Sequence, residues 1–179
     1  MIEKLKFILD EIQKVNAEPK VQPGASEITV LEAFEQIGIT PPAYLVELYK
    51  WHNGIWNINA FLSMNSLDEA TELHSLFCEM GERWEDFGWS PSWFPVLNLN
   101  GDVHYCIDVE SGLLSAVDPE GGTVEILASN VGSFVNALVD VFASKSFSFK
   151  PYSGTVEIEG SAWGAIAAKH GINPAQRSN

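Results

Sequence analysis

The hydrophobic period of the chain changes near Asn53-Gly54. Before it, apolar residues return every three or four positions, as on one face of a helix. Beyond it lie runs of partial alternation joined by short turn-forming segments, as in strands. Helices come first, then closely linked strands, then a helix. Consecutive strands with short links favour an antiparallel sheet, so the fold expected is α+β, a central, mostly antiparallel sheet with helices packed around it. At 179 residues with 46% apolar content, the chain is long enough for one domain with a sizeable core.

Leu5, Ile8, Leu9, Ile12 and Val15 mark a first helix. Residues 18–25, with Pro19, Pro23 and Gly24, read as a loop. Ser26 caps a second helix whose stripe would be Ile28, Leu31, Phe34 and Ile37, stopped by Gly38. Thr40-Pro41-Pro42 starts a third, carrying Leu45, Leu48, Tyr49 and Trp51 and ending at Asn53-Gly54. Residues 55–64 read as one or two short strands. Ser66 and Glu69 form a capping box, and behind it Leu67, Ala70, His74, Phe77, Gly81 and Trp84 share a helical face. Residues 86–95 read as a loop leading into strands at 94–99, 103–109, 113–117 and 123–127. Ser129 or Asn130 caps a long helix with Val131, Phe134, Val135, Leu138, Val139 and Phe142 on its inner face. Residues 146–150 leave that helix, a strand is expected at 155–158 and a short helix at 161–170, and the last five residues read as a frayed end.

Twenty-four acids against ten bases give a net charge of -14, which argues against a nucleic-acid surface and against docking on an anionic membrane. Cys78 and Cys106 lie far apart in apolar surroundings without a CxxC, so neither a disulfide framework nor a thiolate zinc site is expected, and a cytoplasmic location fits. The N-terminus lacks an uninterrupted signal-length apolar stretch, and no run of about 18 apolar residues could span a bilayer.

Few residues in the chain group in a pattern that carries chemistry. His52, His74, His104 and His170 fall on four different elements without a metal-binding spacing, so no metal and no cofactor is expected. His74 reads as a satisfied buried histidine. Asp102, His104 and Asp108 could build an acid/base pair, against the commoner reading of turn acids flanking a strand. GxSxG, GxGxxG and GxxxxGK[ST] motifs are absent, and no catalytic residue is assigned. Trp84, Trp89 and Trp93 form either a platform for a small molecule or sugar, or a buried cluster roofing a small sheet. The charge distribution says more. Between Lys50 and Lys145 the one basic residue is Arg83, among fourteen acids. That density reads either as a solvated surface or as a docking face that steers a cationic partner.

Four segments stand in order: Ile39–Gly54, with its proline-started helix ending in Asn-Gly; Phe61-Leu62-Ser63 followed by Leu67-Asp68-Glu69-Ala70; Trp93–Asp102 with Tyr105-Cys106-Ile107-Asp108; and Ser129–Phe142. Together they resemble the SUKH superfamily, the Smi/Knr type of domain. The resemblance implies an α+β domain, taken here as residues 1–145, with 146–179 a C-terminal extension outside the family pattern. It also implies a non-enzymatic role: many bacterial members look like immunity proteins that neutralise a cognate toxin, often a nuclease, whereas fungal relatives act as interaction hubs. The leading expectation is therefore an immunity protein that blocks a basic toxin domain. The expected contacts are Glu72, Glu79, Glu82, Asp86, Asp102 and Glu110, with Trp89 as apolar anchor. A regulatory scaffold for endogenous proteins and a small-molecule or sugar binder are the alternatives.

Overall fold

Apolar spacing becomes geometry at His52, where the backbone leaves the helix for the extended region (φ −144°, ψ 132°). The computed structural model describes residues 1–84 and 87–173. Helices α1 (Ile2–Gln13), α2 (Glu27–Gln36) and α3 (Ala43–Trp51) lead, with a short strand β1 (Lys20–Pro23) between the first two. Strands β2 (His52–Trp56) and β3 (Leu62–Met64) follow, then α4 (Leu67–Arg83). The sheet continues with β4 (Trp93–Leu99), β5 (Val103–Asp108), β6 (Leu114–Asp118) and β7 (Thr123–Ala128), and α5 (Val131–Ala143) returns over it. A hairpin, β8 (Phe147–Lys150) and β9 (Thr155–Ile158), and a last helix α6 (Gly160–Lys169) complete the described chain.

Strands β1 to β7 lie in sequence order, and every neighbouring pair is antiparallel. The α+β class is thus as expected. Short links join β2 to β3 and the successive strands from β4 to β7, whereas α2 and α3 lie between β1 and β2, and α4 between β3 and β4. Between β4 and β5 the chain turns through Asn100 and Gly101, both at positive φ (54° and 81°), where Asn and Gly meet least resistance.

The two-residue period of β5 divides the interior. Tyr105 and Ile107 join the main core, which is filled by α1, α2, α3 and α5. Tyr105 meets Phe134 of α5 edge-on, with ring centroids 5.4 Å apart. His104 and Cys106 face the other way. The His104 ring lies 5.2 Å from that of Phe77 on α4, and Cys106 packs with Phe77, Phe87 and Val117. Helix α4 therefore covers one face of the sheet, opposite α5. The turn before it is fixed by Asn65, whose side-chain amide N–H donates to Pro95 O (2.8 Å) while its backbone carbonyl accepts from the buried Tyr49 hydroxyl (3.2 Å).

Several elements differ from expectation. Residues 20–23 are a strand and not a loop: Lys20 pairs with Trp56 and Val21 with Ile55. Pro23 is tolerated because β1 is an edge strand, and the register shifts between Val21 and Pro23. Gly24 follows because a Cβ there would stand 1.8 Å from the carbonyl oxygen of Lys50. Helix α3 stops at Trp51, so Asn53-Gly54 lies inside β2. Helix α2 buries Val30 and Phe34, whereas Ile28 and Leu31 are 69% and 45% exposed. Its buried line follows the i, i+4 row. Helix α5 is capped by Asn130, whose side chain accepts from Ser133 N–H (2.9 Å). Ala137 and Val141 are buried in it, and Val131 and Val139 only half-buried.

Residues beyond α5 pack on the same core. Val156, Ala167 and Ile172 are buried in it, Ala60 N–H donates to Val156 O (2.6 Å), and Asn173 N–H to Leu127 O (2.8 Å). Asp140 of α5 accepts from Lys169 (2.7 Å) and His170 (2.9 Å) at the end of α6. The terminal five residues, expected to fray, lie outside the described residues.

Candidate functional site

Helix α4 begins with a complete capping box. Ser66 Oγ accepts from Glu69 N–H (3.3 Å), and the Glu69 carboxylate accepts from Ser66 N–H (2.7 Å). The register set there buries Leu67, Ala70, Thr71, His74 and Phe77 against the sheet. It turns Asp68, Glu72, Glu79 and Glu82 outward, all of them exposed. Asp68 sits in the first turn and Arg83 in the last, each favoured by the helix dipole. Glu79 and Glu82 stand one turn apart as like charges. Arg83 reaches Glu79 at 3.6 Å, so that carboxylate is partly compensated. Two apolar groups share this outer surface: Leu76, 49% exposed, between Glu72 and Glu79, and Trp84, 53% exposed, at the C-cap.

Glu72, Glu79 and Glu82 are thus brought together on one helix. Asp86 lies outside the described residues. Asp102, in the β4–β5 turn, and Glu110, after β5, are both exposed but stand at opposite ends of that strand. The six residues of β5 between them hold the two about 20 Å apart along the strand. Trp89 is half-buried and packed inward. Its indole N–H donates to Cys78 Sγ (3.3 Å), and its ring contacts Phe77 (5.0 Å), Trp93 (5.5 Å) and His74 (5.9 Å). Gly81 leaves it room, since a Cβ there would come within 3.3 Å of Trp89 Cβ. Trp89 and Trp93 therefore belong to the packing between α4 and the sheet. Trp84, expected on the buried face, is turned to solvent. Sequence reasoning missed Leu76 and Trp84 as exposed apolar groups among the acids. An apolar residue at position 76, off the stripe of positions 70, 74 and 77, was the available signal.

His74, His104 and Asp108 are tied into the packing. His74 is buried and donates from Nε2 to Pro91 O (2.9 Å). His104 is buried beneath Phe77. Burial holds its imidazole below the ordinary value, against the opposing effects of the Gly101 backbone and the Asp102 charge. Burial also raises the Asp108 carboxyl, but hydrogen bonds from Ser111, Glu110 and Ser92 outweigh it and leave the group below the usual carboxylate range. Asp108 ties the β5–β6 turn to the loop before β4. Among the described residues no three His, Cys, Asp or Glu side chains group as ligands for a metal ion, and no helix is long and apolar enough to cross a membrane.

A sequential antiparallel meander, helices on both faces and an acidic outer helix define an α+β domain whose accessible chemistry is charge and shape. The model of the SMI1 / KNR4 family (SUKH-1) matches residues 24–137, more than half of the chain. The chain belongs to that family. A search of the curated proteins finds no match. Family membership supports a protein-binding role in broad terms.

Proposed function

We propose that this chain is an immunity-type protein of the bacterial cytoplasm that neutralises a basic toxin domain, through the outer face of α4. One observation carries the reading: Asp68, Glu72, Glu79 and Glu82 are exposed along one helix, with Leu76 among them and Trp84 at its end. Carboxylates in such a row take the places that nucleic-acid phosphates would take on a nuclease-type partner. They steer a cationic surface into contact. Leu76 and Trp84 supply the apolar anchors that charge alone lacks, and tryptophan is favoured at interface hot spots. Trp89 acts from beneath, holding α4 to the sheet. Asp102 and Glu110 are too far apart to share a compact contact, so the binding face takes at most one of them. In this reading the binding domain is residues 1–145, and residues 146–179 are an extension.

The test begins with affinity capture from the native host, using the wild-type chain at low and moderate salt, with bound proteins identified by mass spectrometry. The expected result is one basic partner, released as salt rises. The affinity of that partner is then measured for a Glu72→Gln/Glu79→Gln/Glu82→Gln variant whose circular dichroism matches wild type. A loss of about tenfold or more, with a shallower salt dependence, is expected, since each tenfold step is about 1.4 kcal/mol. Unchanged affinity in that variant would overturn the assignment of the face. Recovery of several unrelated housekeeping proteins would move the chain to the scaffold class.

A further inference from the structure

A cleft of about 390 Å³ opens between the sheet and the C-terminal extension, on the side of the sheet away from α4. Its floor comes from β3, β4, β5 and β7, one wall from α5, and the opposite wall from Ile158 of β9 and from Gly160 and Trp163 of α6. That last wall lies outside residues 24–137, so this chain adds it to what the family match covers.

The cleft is open to solvent on one side, yet its walls are mostly apolar. Enclosed interiors pack as densely as organic crystals, with few voids larger than a water molecule, so a cleft of this size is a feature of the surface. Larger side chains would close this one, yet the chain carries Val103 on the floor and Gly160 on the wall. A Cβ at Gly160 would meet nothing within 4 Å. The volume falls in the range of small-molecule sites.

The lining defines the ligand. Phe61, Tyr105, Phe134 and Trp163 present four aromatic rings. Phe134 stands edge-on to both Tyr105 (5.4 Å) and Trp163 (5.9 Å). Such walls favour a further aromatic ring in offset or edge-on contact. No charged side chain lines the cleft among the described residues. The Asn59 side-chain carbonyl already accepts from the backbone N–H groups of Phe61 (2.8 Å) and Leu62 (2.9 Å). An ionic ligand would be desolvated here without a charged partner among the described residues, which disfavours it. An apolar cavity of about 150 Å³ holds one benzene, so this cleft has room for roughly two fused rings and a substituent. We infer that the cleft between the sheet and the C-terminal extension is a binding site for an uncharged, bicyclic-sized aromatic molecule. The site is separate from the acidic face of α4 and does not rest on the function proposed for it.

The probe is N-phenyl-1-naphthylamine, an uncharged aromatic amine whose fluorescence rises in apolar surroundings, titrated into the full chain. Saturable enhancement with one probe per chain is expected. Val103→Trp and Gly160→Leu, which place side chains at the cleft, should each weaken it by about tenfold or more. Trp84→Ala, which removes an exposed ring elsewhere, should leave it unchanged. Circular dichroism and thermal melts establish that the variants fold. If Val103→Trp does not, Gly160→Leu decides, because a Cβ at that position meets no other atom within 4 Å. Absence of saturable enhancement, equal binding by wild type and the folded cleft variants, or loss of binding in Trp84→Ala would overturn the inference.

Discussion

On one side of β5, Tyr105 and Ile107 enter a contiguous core that draws on α1, α2, α3, α5 and the C-terminal extension. On the other side, one residue along the same strand, His104 and Cys106 meet a cluster whose buried apolar members are Phe77, Phe87, Cys106 and Val117. The first face is nearly all apolar. The second mixes aromatic rings with His74, Cys78 and His104, and its cover carries the acids outside. Strand alternation lets one sheet serve both ends. Stability is concentrated where burial is deep, and the charged surface sits on the helix with the thinner apolar attachment. Mutual repulsion among the α4 carboxylates therefore loads a helix that joins the main core only at its start, through Leu67 and Ala70, and packs farther along on the smaller cluster.

The sharpest way to break that contrast is to delete a ring on each side. Phe94 is fully buried on the main-core side, 4.4 Å from Phe34 and 6.0 Å from Tyr49. Phe94→Ala should cost about 3–5 kcal/mol in urea unfolding, the usual range for a buried phenylalanine truncated to alanine. Phe77 is equally buried, but its neighbours belong to the small cluster. Phe77→Ala should cost roughly 3 kcal/mol, at the lower end of that range. Its amide-exchange protection should fall mainly within α4, while the β4–β6 strands stay protected. Uniform loss of protection in both variants would mean that the two faces fold as one unit.

A second, smaller effect belongs to the α4 face and depends on pH. His104 Nδ1 is buried without a hydrogen-bond partner among the described residues. Burial keeps the folded pKa below the ordinary histidine value of 6.5, which the unfolded chain adopts. The stabilising contribution of neutral His104 is therefore fully present above that value. As pH falls below it, the unfolded chain takes up a proton that the folded chain resists, so stability declines toward the lower folded pKa. Urea midpoints should drop between pH 7 and pH 5, and His104→Phe, which keeps a ring beside Phe77, should flatten the drop. A variant with the wild-type slope would assign the pH dependence to other groups.

The main core and the α4 face were unequally legible in the sequence. Strands β4 to β7 were readable because turn residues separate their apolar runs, as at Asn100-Gly101 and Asp118–Gly122. Helix α4 was readable because Ser66 and Glu69 stand three apart at its start. Strand β1 was hidden, since Pro19 and Pro23 punctuate it and its pairing to β2 is an edge contact made at long range. The α2 stripe went wrong because Ile28, Val30, Leu31 and Phe34 offer two apolar lines, and tertiary packing chose the one through Val30. At the candidate site the acids were legible as a charge run. The inward turn of Trp89 was not, because it depends on Gly81 and Cys78 across a loop.

The finest test separates charge on α4 from charge on the molecule as a whole. Arg83 and Glu79 are both well exposed at 3.6 Å, so Arg83→Ala should change stability by only about 0.5 kcal/mol or less. It takes the formal net charge from -14 to -15, as removing any one cation does. Lys150 pairs with Glu157 at 2.9 Å within the β8–β9 hairpin, so Lys150→Ala makes the same formal change on the C-terminal extension. If the partner docks on α4, Arg83→Ala releases Glu79 at the contact, and binding should tighten by a few fold with a steeper salt dependence. Lys150→Ala should leave binding near wild type. Long-range attraction to an acidic molecule would instead make the two variants alike, mainly in association rate and only at low salt, because charges beyond about 10 Å are screened at 0.1 M ionic strength. Equal gains would thus assign recognition to net charge, whereas a gain confined to Arg83→Ala would assign it to the carboxylate row between Glu72 and Glu82.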